Sequence, residues 1–195
     1  MTRHRGPAWR RSLAARLRAP RIRVKILLDC DSDSAWRALH DPTVAAQLYA
    51  PILRMAPVRG ALPEAFVSGT RLLVRIRLLG VVPLGRQLIV IEDATPGELG
   101  PAHRTMRDIG HPVSGPLALL RGWHHEMTVQ SDAHGRTIWL DELTVAGGAA
   151  LICAPVLWVT WRWRGRRLRS LARYWGDPAP EPQPRSTPRR EHTTR

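Results

Sequence analysis

Cysteine is nearly missing: Cys30 and Cys153 are the only two among 195 residues. Two thiols cannot build a disulfide framework, nor supply four ligands to a structural zinc site. Both are expected as buried free thiols. Lysine is scarcer still, with Lys25 alone among thirty basic residues, a bias of composition that carries no chemical signal. Long apolar runs are absent as well. Ala149–Trp161 is thirteen residues long, contains Pro155 and meets Arg162 at once. A bilayer span takes about 20 residues, so this stretch is expected to form a core helix, with membrane-surface contact as the rival. The basic start never reaches the apolar run of a secretory signal, and Arg10-Arg11 lacks the segment a twin-arginine signal needs. Residues 1–24, Arg-rich and acid-free, have only a faint transit-peptide composition. The expected location is therefore cytoplasmic, with peripheral membrane contact open.

Two kinds of chemistry also lack their motifs. Gly110 and Gly147-Gly148 are isolated breakers, so there is no Gly-rich loop to cradle phosphate. No serine sits in a G-x-S-x-G elbow. No internal repeat is visible.

The charge is unevenly distributed. Residues 1–21 hold seven Arg and no acid, and residues 162–195 hold ten Arg against Asp177, Glu181 and Glu191. These two ends carry the whole net charge of +14, because residues 22–161 balance at thirteen basic and thirteen acidic side chains. The pattern predicts a basic, flexible extension over 1–21, one domain over 22–175, and a disordered Pro/Arg-rich tail over 176–195. Six of the arginines after position 161 lie within the last helical pattern. Arg162, Arg166, Arg167 and Arg169 are thus candidates for contact with an anionic membrane surface or another polyanion. Such contact would be salt-sensitive and without sequence preference. No specific nucleic-acid motif is present.

Periodicity sets the element order. Ile22, Val24, Ile26 and Leu28 alternate as a strand. The run Asp31–Ser34 then offers helix N-caps, and Asp41-Pro42 starts a second short helix buried through Val44, Ala45 and Leu48. Strands are predicted at Ile52–Val58, Arg71–Leu78, Gln87–Glu92, Arg104–Ile109, Trp123–Ser131 and Arg136–Ala146. Gly80–Gly85 and Thr95-Pro96-Gly97 read as turns, and residues 110–122 as irregular. From Ala149 to Trp175 the period becomes helical, with Leu151, Ala154, Trp158, Trp161, Gly165, Leu168, Ala172 and Trp175 forming one stripe. Short connections between strands imply an antiparallel sheet, so the fold class is α+β with one long C-terminal helix covering the apolar face.

Several strings in this order resemble the SRPBCC superfamily, the START-like or Bet v 1-like helix-grip proteins that include polyketide cyclase/dehydrase-like members. Asp33-Ser34-Ala35-Trp36 with Asp41-Pro42 is similar to that family's first-helix pattern. Val113-Ser114-Gly115-Pro116 followed by Trp123-His124-His125-Glu126-Met127 is similar to its S-G-P and H-x-H-x-F strand, and Thr137–Asp141 to its T-x-x-x-D strand. Trp123 stands where the family often has its first His, and Met127 where it has Phe. The resemblance covers residues 22–175 and implies a curved antiparallel sheet gripping the long helix. Between them it implies an apolar cavity for lipids, sterols or polyketides. Some members catalyse cyclisation or dehydration; many only bind.

Strand alternation then nominates residues. Neighbours on a strand point to opposite faces, so His124 and His125 cannot both chelate one ion, and no metal or cofactor is expected. Trp123, His125, Met127 and Val129 share one face; Thr137, Trp139, Asp141, Leu143 and Val145 share the matching one. The proposed lining or rim is Trp36, Trp123, His125, Met127, Trp139, Asp141, Leu143 and Trp158. His125 and Asp141 are candidate acid/base partners, against a plainer reading of a core histidine and an aspartate paired with Arg104 or Arg107. The leading expectation is binding of a hydrophobic small molecule. The rivals are a cyclase/dehydrase-type enzyme and an accessory protein acting on membrane or nucleic acid through its Arg-rich ends.

Overall fold

A computed structural model describes residues 19–94 and 103–176. Most of both basic extensions, and the expected turn at 95–97, lie outside these residues. Strand β1 (Arg21–Leu28) leads to helices α1 (Ser32–Leu39) and α2 (Pro42–Tyr49). Then come β2 (Leu53–Pro57), β3 (Arg71–Leu78), β4 (Val82–Asp93), β5 (His103–Asp108) and β6 (His111–Ser114). A 3-10 turn (Pro116–Leu119), β7 (Gly122–Ser131), β8 (Thr137–Ala146) and helix α3 (Ala150–Ala172) complete the order. The eight strands form one antiparallel sheet in the order β1-β8-β7-β5-β4-β3-β2, with β6 added on β4.

Local chemistry accounts for the early elements. Asp31 accepts a 2.8 Å bond from the Ser34 N–H and so caps α1. Asp41 does the same for Thr43 at 2.7 Å, with Pro42 in the first turn of α2 where its missing N–H costs nothing. Arg21, assigned to the extension by composition, instead opens β1 opposite Thr144 and ion-pairs with Glu142.

Two further expectations change. Gly85 is not a turn residue but sits inside β4 with φ +127°, where β6 crosses so closely that a Cβ would lie 1.8 Å from the Ser114 carbonyl oxygen. Only glycine permits that approach. The segment 110–122 accordingly holds a strand and a 3-10 turn; its Pro and Gly residues had hidden both.

Helix α3 grips the sheet chiefly with its second half, beyond Ala150 at its start, which is buried beside Leu143 and Val145. Trp161, Gly165, Leu168 and Ala172 are buried. At Gly165 a Cβ would meet Ile26 Cδ1 at 3.1 Å and Val24 Cγ1 at 3.4 Å. A helical glycine costs roughly 1 kcal/mol relative to alanine; here it lets the helix lie directly on β1. Trp139, Leu168, Ile26 and Leu28 are fully or almost fully buried in one cluster. Each such side chain contributes roughly 1.5–3 kcal/mol by leaving water. The first half of the predicted stripe behaves differently: Leu151 and Trp158 are exposed. Cys30 and Cys153 are free thiols, half-buried rather than buried.

Candidate functional site

Beneath the first half of α3, sheet and helix separate and leave a cavity of about 380 Å³. Its walls come from α1, α2, β2, β3, β4, β5, β7, the 3-10 turn and α3. Apolar side chains such as Leu48, Ile76, Ile89, Met106 and Leu157 make up most of the lining. The polar side chains among the lining residues are few: Tyr49, Gln87, Asp108, His125, Thr160 and Arg164, with the Trp123 indole beside them.

The polar wall is organised around a buried carboxylate. Asp141 on β8 accepts bonds from His125 Nε2 at 2.7 Å and Trp161 Nε1 at 2.9 Å on one oxygen, and from Arg164 Nε at 2.8 Å on the other. Burial alone would push this carboxyl up. The Arg164 charge, then His125 and the donated bonds, outweigh that and hold it at about 2. An ionised carboxylate only accepts, so His125 Nε2 carries the proton, and in the neutral ring Nδ1 is the acceptor. Arg164 also donates to the Tyr49 hydroxyl at 3.2 Å and to Met127 Sδ at 3.2 Å. Burial pushes the Tyr49 phenol up to about 12, with Arg164 opposing, so it stays a protonated donor.

A second carboxyl has the opposite bias. Asp108 pairs across β5 and β7 with His125. Burial pushes its carboxyl above the usual range, against bonds accepted from the Val90 and Gly110 N–H groups. Trp123 Nε1 is buried and faces this carboxyl, helping to lower it, but forms no hydrogen bond of good geometry.

Of the eight lining residues expected from sequence, Trp123, His125 and Met127 line the cavity. His125 is buried and His124 exposed, as strand alternation requires. Asp141 is 1 % exposed and lies behind His125, touching the cavity only through its partners. Trp139 and Leu143 share its buried face of β8 but pack under α3, Trp139 with Leu168 and Leu143 with Trp161. Trp36 is elsewhere, 4.4 Å from the His40 ring and 5.3 Å from the Arg104 guanidinium. Trp158 faces solvent with Arg162 stacked on it at 5.5 Å. The expected Arg104 or Arg107 partner for Asp141 is also replaced. Arg104 binds Asp33 and Arg107 binds Glu126, while Arg164 reaches Asp141 from the helix. Sequence reasoning missed Arg164 because it sits among four other helical arginines, although it lies three residues after Trp161 and one before Gly165, on the buried stripe. Tyr49 and Asp108 gave no comparable signal. Among the described residues no group of three or more His, Cys, Asp or Glu side chains could hold a metal.

No family model and no curated protein matches the chain. Solved structures do. Protein CV1439 from Chromobacterium violaceum is similar at TM-score 0.56 and 14 % identity, over 78 % of this chain and 96 % of that one. Hypothetical protein jhp0584 from Helicobacter pylori is similar at 0.57 and 13 %, over 78 % and 88 %. The Zhui aromatase/cyclase from Streptomyces sp. R1128 is similar at 0.54 and 12 %, over 80 % and 94 %. The chain shares with them a helix-grip fold, an antiparallel sheet with a long C-terminal helix. At such identities the likeness is one of fold, so what this helix-grip cavity holds is argued from its own walls. No helix among the described residues is long and apolar enough to cross a membrane.

Proposed function

We propose that this helix-grip protein binds a largely apolar small molecule whose single polar group, a carbonyl or hydroxyl, sits at the Trp123–His125–Arg164 wall. The observation that supports this reading is an apolar cavity of about 380 Å³ with one linked polar wall, in which His125 and Arg164 share Asp141 and Arg164 reaches Tyr49. That size is within the range of small-molecule sites. Trp123 Nε1 is a buried donor that faces the Asp108 carboxyl without a well-formed hydrogen bond, so a ligand oxygen at this wall would complete its bonding. Arg164 is already matched by Asp141, so the wall offers hydrogen bonds rather than a free positive charge. A neutral polar head therefore suits it better than a carboxylate. A panel of fatty alcohols, fatty acids, sterols and aromatic polyketides, followed by tryptophan quenching, tests the reading. Saturable binding of neutral-headed members is expected; failure of every member to bind would overturn it.

One observation favours a second reading, a cyclase/dehydrase-type activity. The two carboxyls near His125 are biased in opposite directions, which is how acid and base roles are separated in one site. For a bound β-hydroxy ketone, His125 Nδ1 would take the proton on the carbon next to the carbonyl. The β-hydroxyl would then leave as water with a proton from Asp108. Proton return from His125 to Asp108 would reset both groups. The Zhui protein is an aromatase/cyclase on this fold, which makes aromatic polyketide-like ketones the first substrates to try. Asp108→Asn and His125→Ala should each abolish dehydration of such a ketone, and unchanged turnover in both would overturn this second reading.

A further inference from the structure

The exposed surface around the cavity mouth combines two properties that soluble surfaces rarely combine. On α3, Leu151, Ile152 and Val156 are 75 %, 80 % and 62 % exposed, with Trp158 and Val159 beside them. Ile152 and Val156 also line the cavity, so they form its rim. The cavity lining includes Leu78 and Leu84. The β3–β4 turn joining them presents Leu79, Val81 and Val82 to solvent. Leu79 adopts φ +49°, the left-handed region, which disfavours a leucine there. Leu119, after the lining residues Pro116 and Leu117, is exposed as well.

The charge of the same segments has one sign. Residues 71–91, 109–123 and 143–176 contain no Asp or Glu. They carry eleven arginines, although residues 22–161 as a whole balance. Along α3 one helical face is continuous: Leu151, Pro155 and Trp158 are followed at the same spacing by Arg162, Arg166, Arg169 and Arg173, all exposed. The face turns from apolar to cationic where Arg162 stacks on Trp158. An apolar tip followed by arginines, with an aromatic–arginine pair at the boundary, matches the order of layers in a lipid leaflet: acyl chains, interface, anionic headgroups.

We infer that this rim docks on an anionic lipid bilayer, so that the cavity mouth opens onto the acyl layer. A second copy of the chain fits less well, because it would bring arginines against arginines. Nucleic acid would leave the apolar tip without a partner. The docking needs no bound ligand and is therefore separable from what the cavity holds.

Flotation of the full chain with phosphatidylcholine vesicles, and with phosphatidylcholine–phosphatidylglycerol vesicles, tests this. Retention is expected on the anionic vesicles and weaker retention on the neutral ones. Leu151→Asp with Val159→Asp, both exposed and outside the cavity lining, should weaken retention roughly tenfold or more at unchanged circular dichroism. Vesicles with brominated acyl chains should quench the wild-type protein more than Trp158→Phe. Equal retention of the double variant would overturn the inference, because the basic ends alone would then explain it. Absence of wild-type retention, retention on DNA but not vesicles, or a dimer abolished by the double variant would each overturn it too.

Discussion

The two halves of α3 are one continuous helix with opposite roles. The second half buries Trp161, Arg164, Gly165, Leu168 and Ala172 against β1 and β8. The first half, more apolar by sequence, leaves Leu151, Ile152, Val156, Trp158 and Val159 in solvent. Hydropathy alone would reverse the assignment. What decides it is distance from the sheet: Gly165 lets the helix touch Val24 and Ile26. Towards its N-terminus the same helix roofs the cavity. The buried half contains the only arginine of the helix with a buried carboxylate partner, and the exposed half contains none.

The largest effect is expected where that charge pair is broken. Asp141→Ala would strand Arg164 and should cost about 3–5 kcal/mol in urea unfolding. Asp141→Asn with Arg164→Met should cost less than the two single changes together, as a double-mutant cycle would show. A smaller effect follows from close packing. Gly165→Leu should cost roughly 1–3 kcal/mol by forcing α3 off β1, whereas Leu151→Asp should stay within about 0.5 kcal/mol. Equal costs for these two would erase the distinction between the halves.

The strand half of the site was legible in sequence because alternation has period two, which placed His125 inward and His124 outward. The same logic put Thr137, Trp139, Asp141, Leu143 and Val145 on one buried face. It could not say which part of that face a cavity reaches. Trp139 and Leu143 are inward yet covered by α3, and Trp158, assigned inward from the helical stripe, is 54 % exposed. Arg164 was hidden by its neighbours: a buried arginine among four other helical arginines is distinguished by its partner, and that partner lies 23 residues away on β8.

Acid titration sharpens the account of the carboxyl pair. The Asp141 carboxyl is held at about 2, below its unfolded value of roughly 3.8. Its contribution, about 2 kcal/mol, is present above pH ~4 and lost as pH falls through 2. Asp108 has the opposite sign: its carboxyl is raised, so the stability it contributes is present in acid and declines as pH rises. Asp108→Asn should therefore stabilise the protein near pH 7, with a gain that vanishes near pH 3. Thermal melts at the two pH values read this smallest effect.

The central claim is that the space under the first half of α3 is the binding site. Ala45 lines that space from α2, and Ala45→Phe would place a ring within it. Calorimetric titration of the wild type and Ala45→Phe with a ligand selected from the neutral-headed panel measures the claim directly. Saturable binding by the wild type and its loss in the filled variant, at unchanged circular dichroism, is the predicted result. Equal affinity in both proteins would contradict it.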